Sequence, residues 1–449
     1  MSFVKRFQHS LESLCAPLEK SDYVVAYSGG VDSHVLLLLC KELKLSVRAV
    51  HIHHGLQDCA DEWVSHCQET CKDIAVDLEV IYVDANKKKG ESPEEAARNV
   101  RYQALQQCLH PNDVLLTGQH LDDQAETLLL QLFRSASSAG LAGMPASKAI
   151  GDHVLLRPLL SFSRVEIEDY AKQNAFKWVE DPSNQDTSYD RNFIRKDILP
   201  LLVERWPEIN SQLATVAGLQ ASNLEVLEDM AAIDLASALS VPAEGEVTIF
   251  EVVSMLALGR LTSLSSPRLL NLLRYWIIVT LQIKPTKNLL EEIERSLINA
   301  KPDASPDIVY SGYAFKKFQD NIYLIRSNLV SLDLKEFEWN PSGPLDLTEL
   351  NIRLTAKPSP SKGLSNKLLD KSLQIRFRKG GEKFHPSHRR HSQSLKKLFQ
   401  AANIPPWERD VIPLIYLGDK LIAVGGLWVS HEFAVDAGES GWCVELVNI

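Results

Sequence analysis

Between Tyr23 and Leu39 the chain reads YVVAYSGGVDSHVLLLL, an apolar run interrupted once, at Ser28-Gly29-Gly30-Val31-Asp32-Ser33. A strand that stops at a glycine turn and opens straight into a helix belongs to an α/β architecture, with the turn at the strand's carboxyl end. The unpaired backbone N–H groups of the helix start and the helix dipole both point at that turn, which makes it an anion site. Gly29 and Gly30 let backbone approach a phosphate, and Ser28 and Ser33 add hydroxyl donors. Asp32 stands where a carboxylate can hold a metal ion bridging phosphate oxygens. The pattern GxxxxGK[ST] is absent from the chain, so this is not a Walker A loop.

The segments that follow repeat the alternation. Leu45 to His53, Asp77 to Asp84 and Asp113 to Thr117 read as strands; Asp58 to Ile74, Ser92 to Cys108 and Leu121 to Arg134 have helical periodicity. Repeated βα units imply a parallel sheet covered by helices on both faces, with ligands at the strands' carboxyl ends. Ser28 to Ser33, His51 to His54 and Gln119 to Asp123 all fall at that end, so three polar clusters are expected to share one crevice.

At 449 residues the chain exceeds one ordinary hydrophobic core. The character changes after Pro207: Glu208 to Leu239, Arg268 to Leu281 and Lys287 to Leu297 are helical, followed by a β-like stretch from Ala314 to Ile325. Asn340 to Pro344 and Lys357 to Gly363 carry loop or linker signals. The expectation is a parallel-sheet α/β domain over 1–207, a mostly helical domain over 208–340 and a small α+β domain over 370–449.

A net charge of −10 argues against polyanion binding by the molecule's mean field. Locally the balance inverts. From residue 376 to 397 the cations Arg376, Arg378, Lys379, Lys383, Arg389, Arg390, Lys396 and Lys397 face the single acid Glu382, with Phe377, Phe384, Phe399, Trp407 and the histidines His385, His388 and His391 among or beside them. Cations among aromatic rings suit RNA, through phosphate contacts and base stacking. Seven cysteines with no CxxC pair suggest free thiols and a cytoplasmic setting, and no apolar run is long enough to span a membrane. His51, His53 and His54 with Cys67 and Cys71 lack the spacing of a zinc site.

Thr117 to Met144 reads TGQHLDDQAETLLLQLFRSASSAGLAGM. Asp122, Asp123 and Glu126 gather at a helix start beside His120, more acid than a helix cap requires, and this points to a metal or general-base role. SGGVDS resembles the PP-loop of the N-type ATP pyrophosphatases, which split ATP to AMP and pyrophosphate. GQHLDDQAET resembles the (A/G)HHxDDQAET signature of the tRNA(Ile)-lysidine synthetase family, departing from it at Gln119, where the family commonly has histidine. Ala49 to Leu56, the Glu94 to Tyr102 stretch EEAARNVRY, Arg157 to Leu160, Glu180 to Asn184, Arg191 to Arg195 and FRKGGEKFHPSHRRHSQSLKKLF near the carboxyl end are similar to further elements of that family.

The resemblance implies an ATP-dependent ligase that adenylates the wobble cytidine of the isoleucine tRNA with a CAU anticodon and joins L-lysine to it. It assigns ATP to Ser28, Gly29, Gly30, Val31, Asp32, Ser33 and His51, and Mg²⁺ to Asp32 and Asp122. Asp32, His120, Asp123 and Arg195 form the implied catalytic group, with Asp123 or His120 as general base. Arg98, Arg101, Arg191, Arg378, Lys379, Lys383, Arg389, Arg390, Lys396 and Lys397 are the implied tRNA contacts. Two other readings compete: a tRNA thiolation enzyme, which needs a reactive cysteine or CxxC pair this chain lacks near its motifs, and a non-catalytic ATP- or tRNA-binding module, against which the intact SGGVDS and DDQAET argue.

Overall fold

A computed structural model describes residues 1–15, 21–53, 55, 60–84, 93–241, 249–300, 307–326, 335–436 and 439–449, excluding the side chains of 93–97 and 448. The chain divides into two compact units, Met1–Val226 and Leu227–Ile449.

In the first unit, helix α1 (Phe3–Leu14) precedes β1 (Asp22–Ala26), α2 (Val31–Glu42), β2 (Val47–His53), α3 (Ala60–Asp73), β3 (Leu78–Tyr82), α4 (Pro93–Gln107), β4 (Asp113–Leu116) and α5 (Leu121–Phe133). A one-turn helix α6 (Ser138–Leu141), the hairpin β5 (Ser147–Ile150) and β6 (His153–Leu156), and α7 (Arg164–Gln173) follow. The sheet order is β3-β2-β1-β4-β6-β5. All pairings are parallel except β5 with β6, a hairpin the sequence reading did not anticipate, turned at Gly151 with φ +57°.

β1 has Tyr23, Val24 and Val25 buried, because apolar layers cover both sheet faces. On one side Tyr23 and Val25 pack with Phe7, Leu11, Val35, Leu39 and Phe162. On the other, Val24 packs with Val50, Leu105, Leu115 and Leu155. Because β1 pairs with β2 on one edge and β4 on the other, the chain order reverses at β1. The crevice beyond the ends of β1 and β4 is therefore the place for a ligand. Short helix α8 (Asp190–Phe193) runs through a π turn, Ile194–Ile198, into α9 (Leu199–Arg205), and α10 (Ile209–Ala238) carries the boundary between the units.

The second unit contains the expected helices, Ser266–Leu281 and Lys287–Ile293. The β-like stretch forms the hairpin Tyr313–Phe318 with Asn321–Arg326 in a five-stranded antiparallel sheet. Lys357 to Ser359 is no linker: Ile352–Ser359 is an eight-residue strand paired along its length with Gly441–Asn448, Pro358 opposite Trp442. Pro358 lies beyond the Leu345–Leu347 strand that pairs only with the start of this strand, so its missing N–H faces no partner there.

Candidate active site

The turn after β1 is built around absent side chains. Gly29 has φ +84°, and a Cβ on it would stand 3.0 Å from Cys67 Sγ. Its carbonyl accepts from Val179 N at 3.0 Å, which ties the loop to the segment after α7. Gly30 caps α2 without any side-chain hydrogen bond, which leaves the first-turn N–H groups at Val31 and Asp32 open to a ligand. Ser33 Oγ accepts from Ser28 N at 3.1 Å and donates to Gly30 O at 3.0 Å, so these hydroxyls brace the turn itself. His51 lies beneath the loop: its buried ring places Nδ1 2.9 Å from Tyr27 O and 3.6 Å from Cys67 Sγ. Gly118, which sequence reasoning missed, closes the floor. A Cβ there would meet the carbonyl carbon of Asp32 at 3.0 Å and Ser33 N at 3.1 Å. Its signal was a glycine between a strand and an N-cap, where no turn demanded one.

β4 and α5 bring the second cluster beside the loop. His120 is the N-cap of α5, and its N–H donates to Asp123 Oδ2 at 3.0 Å. The ring is 3% exposed and faces three carboxylates: Nε2 is 3.5 Å from Asp123 and 3.7 Å from Asp32, and Nδ1 is 3.6 Å from Asp122. Burial disfavours its charge, yet the carboxylates of Asp122, Asp123 and Asp32 outweigh it and hold the imidazole pKa above the ordinary value. Asp122 accepts from Arg164 N at 2.7 Å and Asn210 Nδ2 at 2.6 Å; against burial, His120 and these bonds pull its pKa down to about 2. Asp123, also buried, is lowered by His120, Arg191 and Arg195. Asp32 is raised, because burial outweighs His120 and Arg164.

Arg191 and Arg195, on α8 and its π turn, both grip the buried Glu126. Arg191 Nε reaches Oε2 at 2.7 Å and Arg195 Nε reaches Oε1 at 2.5 Å, while both also contact Asp123 Oδ1. Each is thus engaged by carboxylates of the site. Arg164, at the start of α7, was not singled out from the sequence; its Nη1 donates to Asp32 Oδ2 at 2.6 Å and its Nε to Glu168 at 2.8 Å. Asp32, Asp122, Asp123 and Glu126 thereby face Arg164, Arg191, Arg195 and the His120 ring. Asp32 Oδ1 is the one oxygen of these four carboxylates that is buried with no hydrogen-bond partner. Asp32 therefore fits a divalent cation; among the described residues no three His, Cys, Asp or Glu side chains form a ready-made metal site. A Mg²⁺ ion held by one or two carboxylates and by phosphate oxygens does not need one.

Gln119 occupies the mouth of β4, its Oε1 accepting from Thr117 Oγ1 at 2.5 Å and from the buried Arg157 Nε at 3.1 Å. Arg98 and Arg101 are exposed on α4, with guanidinium carbons 5.5 and 5.9 Å from the Tyr102 ring centre. In the second unit Lys379, Lys383, Arg390, Lys396 and Lys397 are exposed. Arg378 pairs with Asp410 at 2.8 Å and Arg389 bonds Gln393 at 3.0 Å. The interleaved aromatics do something other than expected: Phe377, Phe384 and Phe399 are buried in the core and offer no face to a base. These apolar positions anchor the basic loop to the core. His53 Nε2 lies 3.2 Å from Asp61, and His54 falls outside the described residues.

Residues 3–202 match a PP-loop domain, 256–323 a TilS substrate binding domain and 373–446 a TilS substrate C-terminal domain. The tRNA(Ile)-lysidine synthase of Methylococcus capsulatus is 39% identical over 432 residues, covering 95% of this chain and 96% of that one. The chain belongs to the tRNA(Ile)-lysidine synthase family. The Coxiella burnetii synthase is 36% identical over 431 residues, 95% of this chain and 93% of its own. Among solved structures, a U34-tRNA thiolase from Methanococcus maripaludis overlaps 49% of this chain and 79% of its own with a TM-score of 0.43 and 16% identity. The lysidine-synthase resemblance read from the motifs thus extends from the first helix to the last strands. Among the described residues, no helix is long and apolar enough to cross a membrane.

Proposed function

We propose that this chain ligates L-lysine to the wobble cytidine of the isoleucine tRNA carrying a CAU anticodon, consuming ATP and releasing AMP and pyrophosphate. One observation carries the reading: in a chain of this family, the PP-loop turn and the His120 carboxylate group share the crevice between β1 and β4, with His120 Nε2 3.7 Å from Asp32. The N–H groups at Val31 and Asp32 bind the phosphates, and Ser28 and Ser33 brace the loop that presents them. Asp32, with Asp122 beside it, would hold Mg²⁺, which supplies charge neutralisation at the phosphoryl centre.

Lysine's ε-ammonium has a pKa of about 10.4 and must lose a proton before it attacks. His120, whose pKa the surrounding carboxylates hold above the ordinary value, takes that proton only in its neutral form. Engaging Asp32 with substrate removes one of the three carboxylates holding the pKa up and so favours the neutral imidazole. Asp123, already bonded on both oxygens, orients His120 and Arg195. Arg98, Arg101 and the carboxy-terminal group Arg378, Lys379, Lys383, Arg389, Arg390, Lys396 and Lys397 meet the tRNA backbone, whereas Arg191, held by Glu126 and Asp123, stays with the carboxylates of the site. Incubation with ATP, labelled lysine and the CAU isoleucine tRNA transfers label to RNA; ATP turnover on another acceptor with no such transfer would end the proposal. Asp32→Ala abolishes pyrophosphate release.

A further inference from the structure

We infer that Arg164 is a phosphate-contacting residue of the adenylation step, held on Asp32 until nucleotide arrives; the inference rests on the function proposed above. The pair is short, Nη1 to Oδ2 2.6 Å, but it is not a buried structural bridge: the two side chains are 37% and 26% exposed, at the wall of the crevice. The rest of Arg164 is fastened independently of Asp32. Its backbone N–H donates to Asp122 Oδ2, its Nε to Glu168, and the helix start is closed by the Ser163–Glu166 capping box. Only the outer end of the guanidinium depends on Asp32, so that end can leave without unravelling α7.

Asp32 also keeps Oδ1 buried without a hydrogen bond, with His120 Nε2 3.7 Å away. A cation taking up that oxygen competes with Arg164 for one carboxylate, and two positive groups cannot share it without repulsion. The released guanidinium then faces the phosphate chain, whose oxygens suit its planar donors. In the adenylation step the cytidine O2 forms a bond to the α-phosphorus, and the bond from that phosphorus to the bridging oxygen breaks. The electron pair leaves on the diphosphate, and no proton moves. Arg164 meets the charge that grows on that leaving oxygen, a contact worth more in the transition state than before it.

Two measurements on the full chain test this. In the first, Mn²⁺ is titrated into ligand-free protein and followed by electron paramagnetic resonance. Arg164→Met, which keeps the aliphatic stem, binds Mn²⁺ about tenfold more tightly than wild type because Asp32 is freed. In the second, single-turnover pyrophosphate release with ATP and tRNA falls about a hundredfold in Arg164→Met and recovers in part in Arg164→Lys. Unchanged Mn²⁺ affinity, or release within about threefold of wild type, would overturn the inference. A residue that merely props α7 would lower the melting temperature and leave Mn²⁺ binding untouched. Wild-type protein that releases no pyrophosphate would refute the proposed function instead, while the Mn²⁺ arm, which needs neither ATP nor RNA, still decides whether Arg164 blocks Asp32.

Discussion

His120 sits among three carboxylates with its ring almost sealed from water, and its protonation is therefore part of the fold as well as of the site. Its folded-state pKa lies above the free value of about 6.5, so the stabilisation is complete below that value and is lost as pH rises through the raised folded pKa. Denaturant melts of wild type and His120→Gln between pH 5 and 9 show the gap narrowing upward. Asp122 runs the other way. With its pKa lowered to about 2, it stabilises the protein above about 3.8 and loses that contribution as pH falls toward 2, so Asp122→Asn flattens the acid limb of the stability curve. Glu126, 1% exposed between two guanidinium groups, makes a harsher case. Glu126→Ala leaves Arg191 and Arg195 without their principal partner and costs about 3 kcal/mol, read from chemical denaturation.

Among the elements, the turn from β1 into α2 has the least tolerance. Gly118→Ala drives a methyl group into the backbone of Asp32 and Ser33, atoms that cannot swing aside. Gly29→Ala meets a cysteine sulfur and, in addition, strains a backbone held at φ +84°. Both variants lose ATP affinity, and Gly118→Ala also loses stability, measurable by calorimetry with and without nucleotide. This element was legible in the chain because its signals are local: a valine run, two glycines, then helix periodicity. The same holds for β2, β3, β4 and α5, whose observed ends lie within two residues of those read from pattern. What stayed hidden was non-local. Arg164 reads as an ordinary first-turn residue until the fold sets it against Asp32, 132 positions away. Lys357 to Ser359 read as linker because nothing nearby announces their strand partners, Gly441 to Cys443, near the other end of the chain. Phe377, Phe384 and Phe399 looked available for stacking because alternation with charge does not say which face is inward.

At the level of the molecule, a net charge of −10 coexists with a carboxy-terminal surface rich in exposed lysine and arginine. Affinity for RNA then depends on a few cations, so the double variant Arg389→Ala, Arg390→Ala lowers tRNA affinity and reduces the slope of log K against log salt by about 1 to 2. ATP binding in the other unit is unchanged. Filter binding across a salt series separates the two effects, and an unaltered slope would remove these arginines from the interface.

The crevice of the first unit, meanwhile, sets four carboxylates against three guanidinium groups, with the His120 imidazole, its pKa held up, among them. A divalent ion alone tips that balance one way and a polyphosphate alone tips it the other. The two together nearly restore it. Thermodynamic reciprocity then requires each to raise the other's affinity by the same factor. A site so balanced would disfavour bare metal and metal-free nucleotide alike, and would take the pair as one ligand.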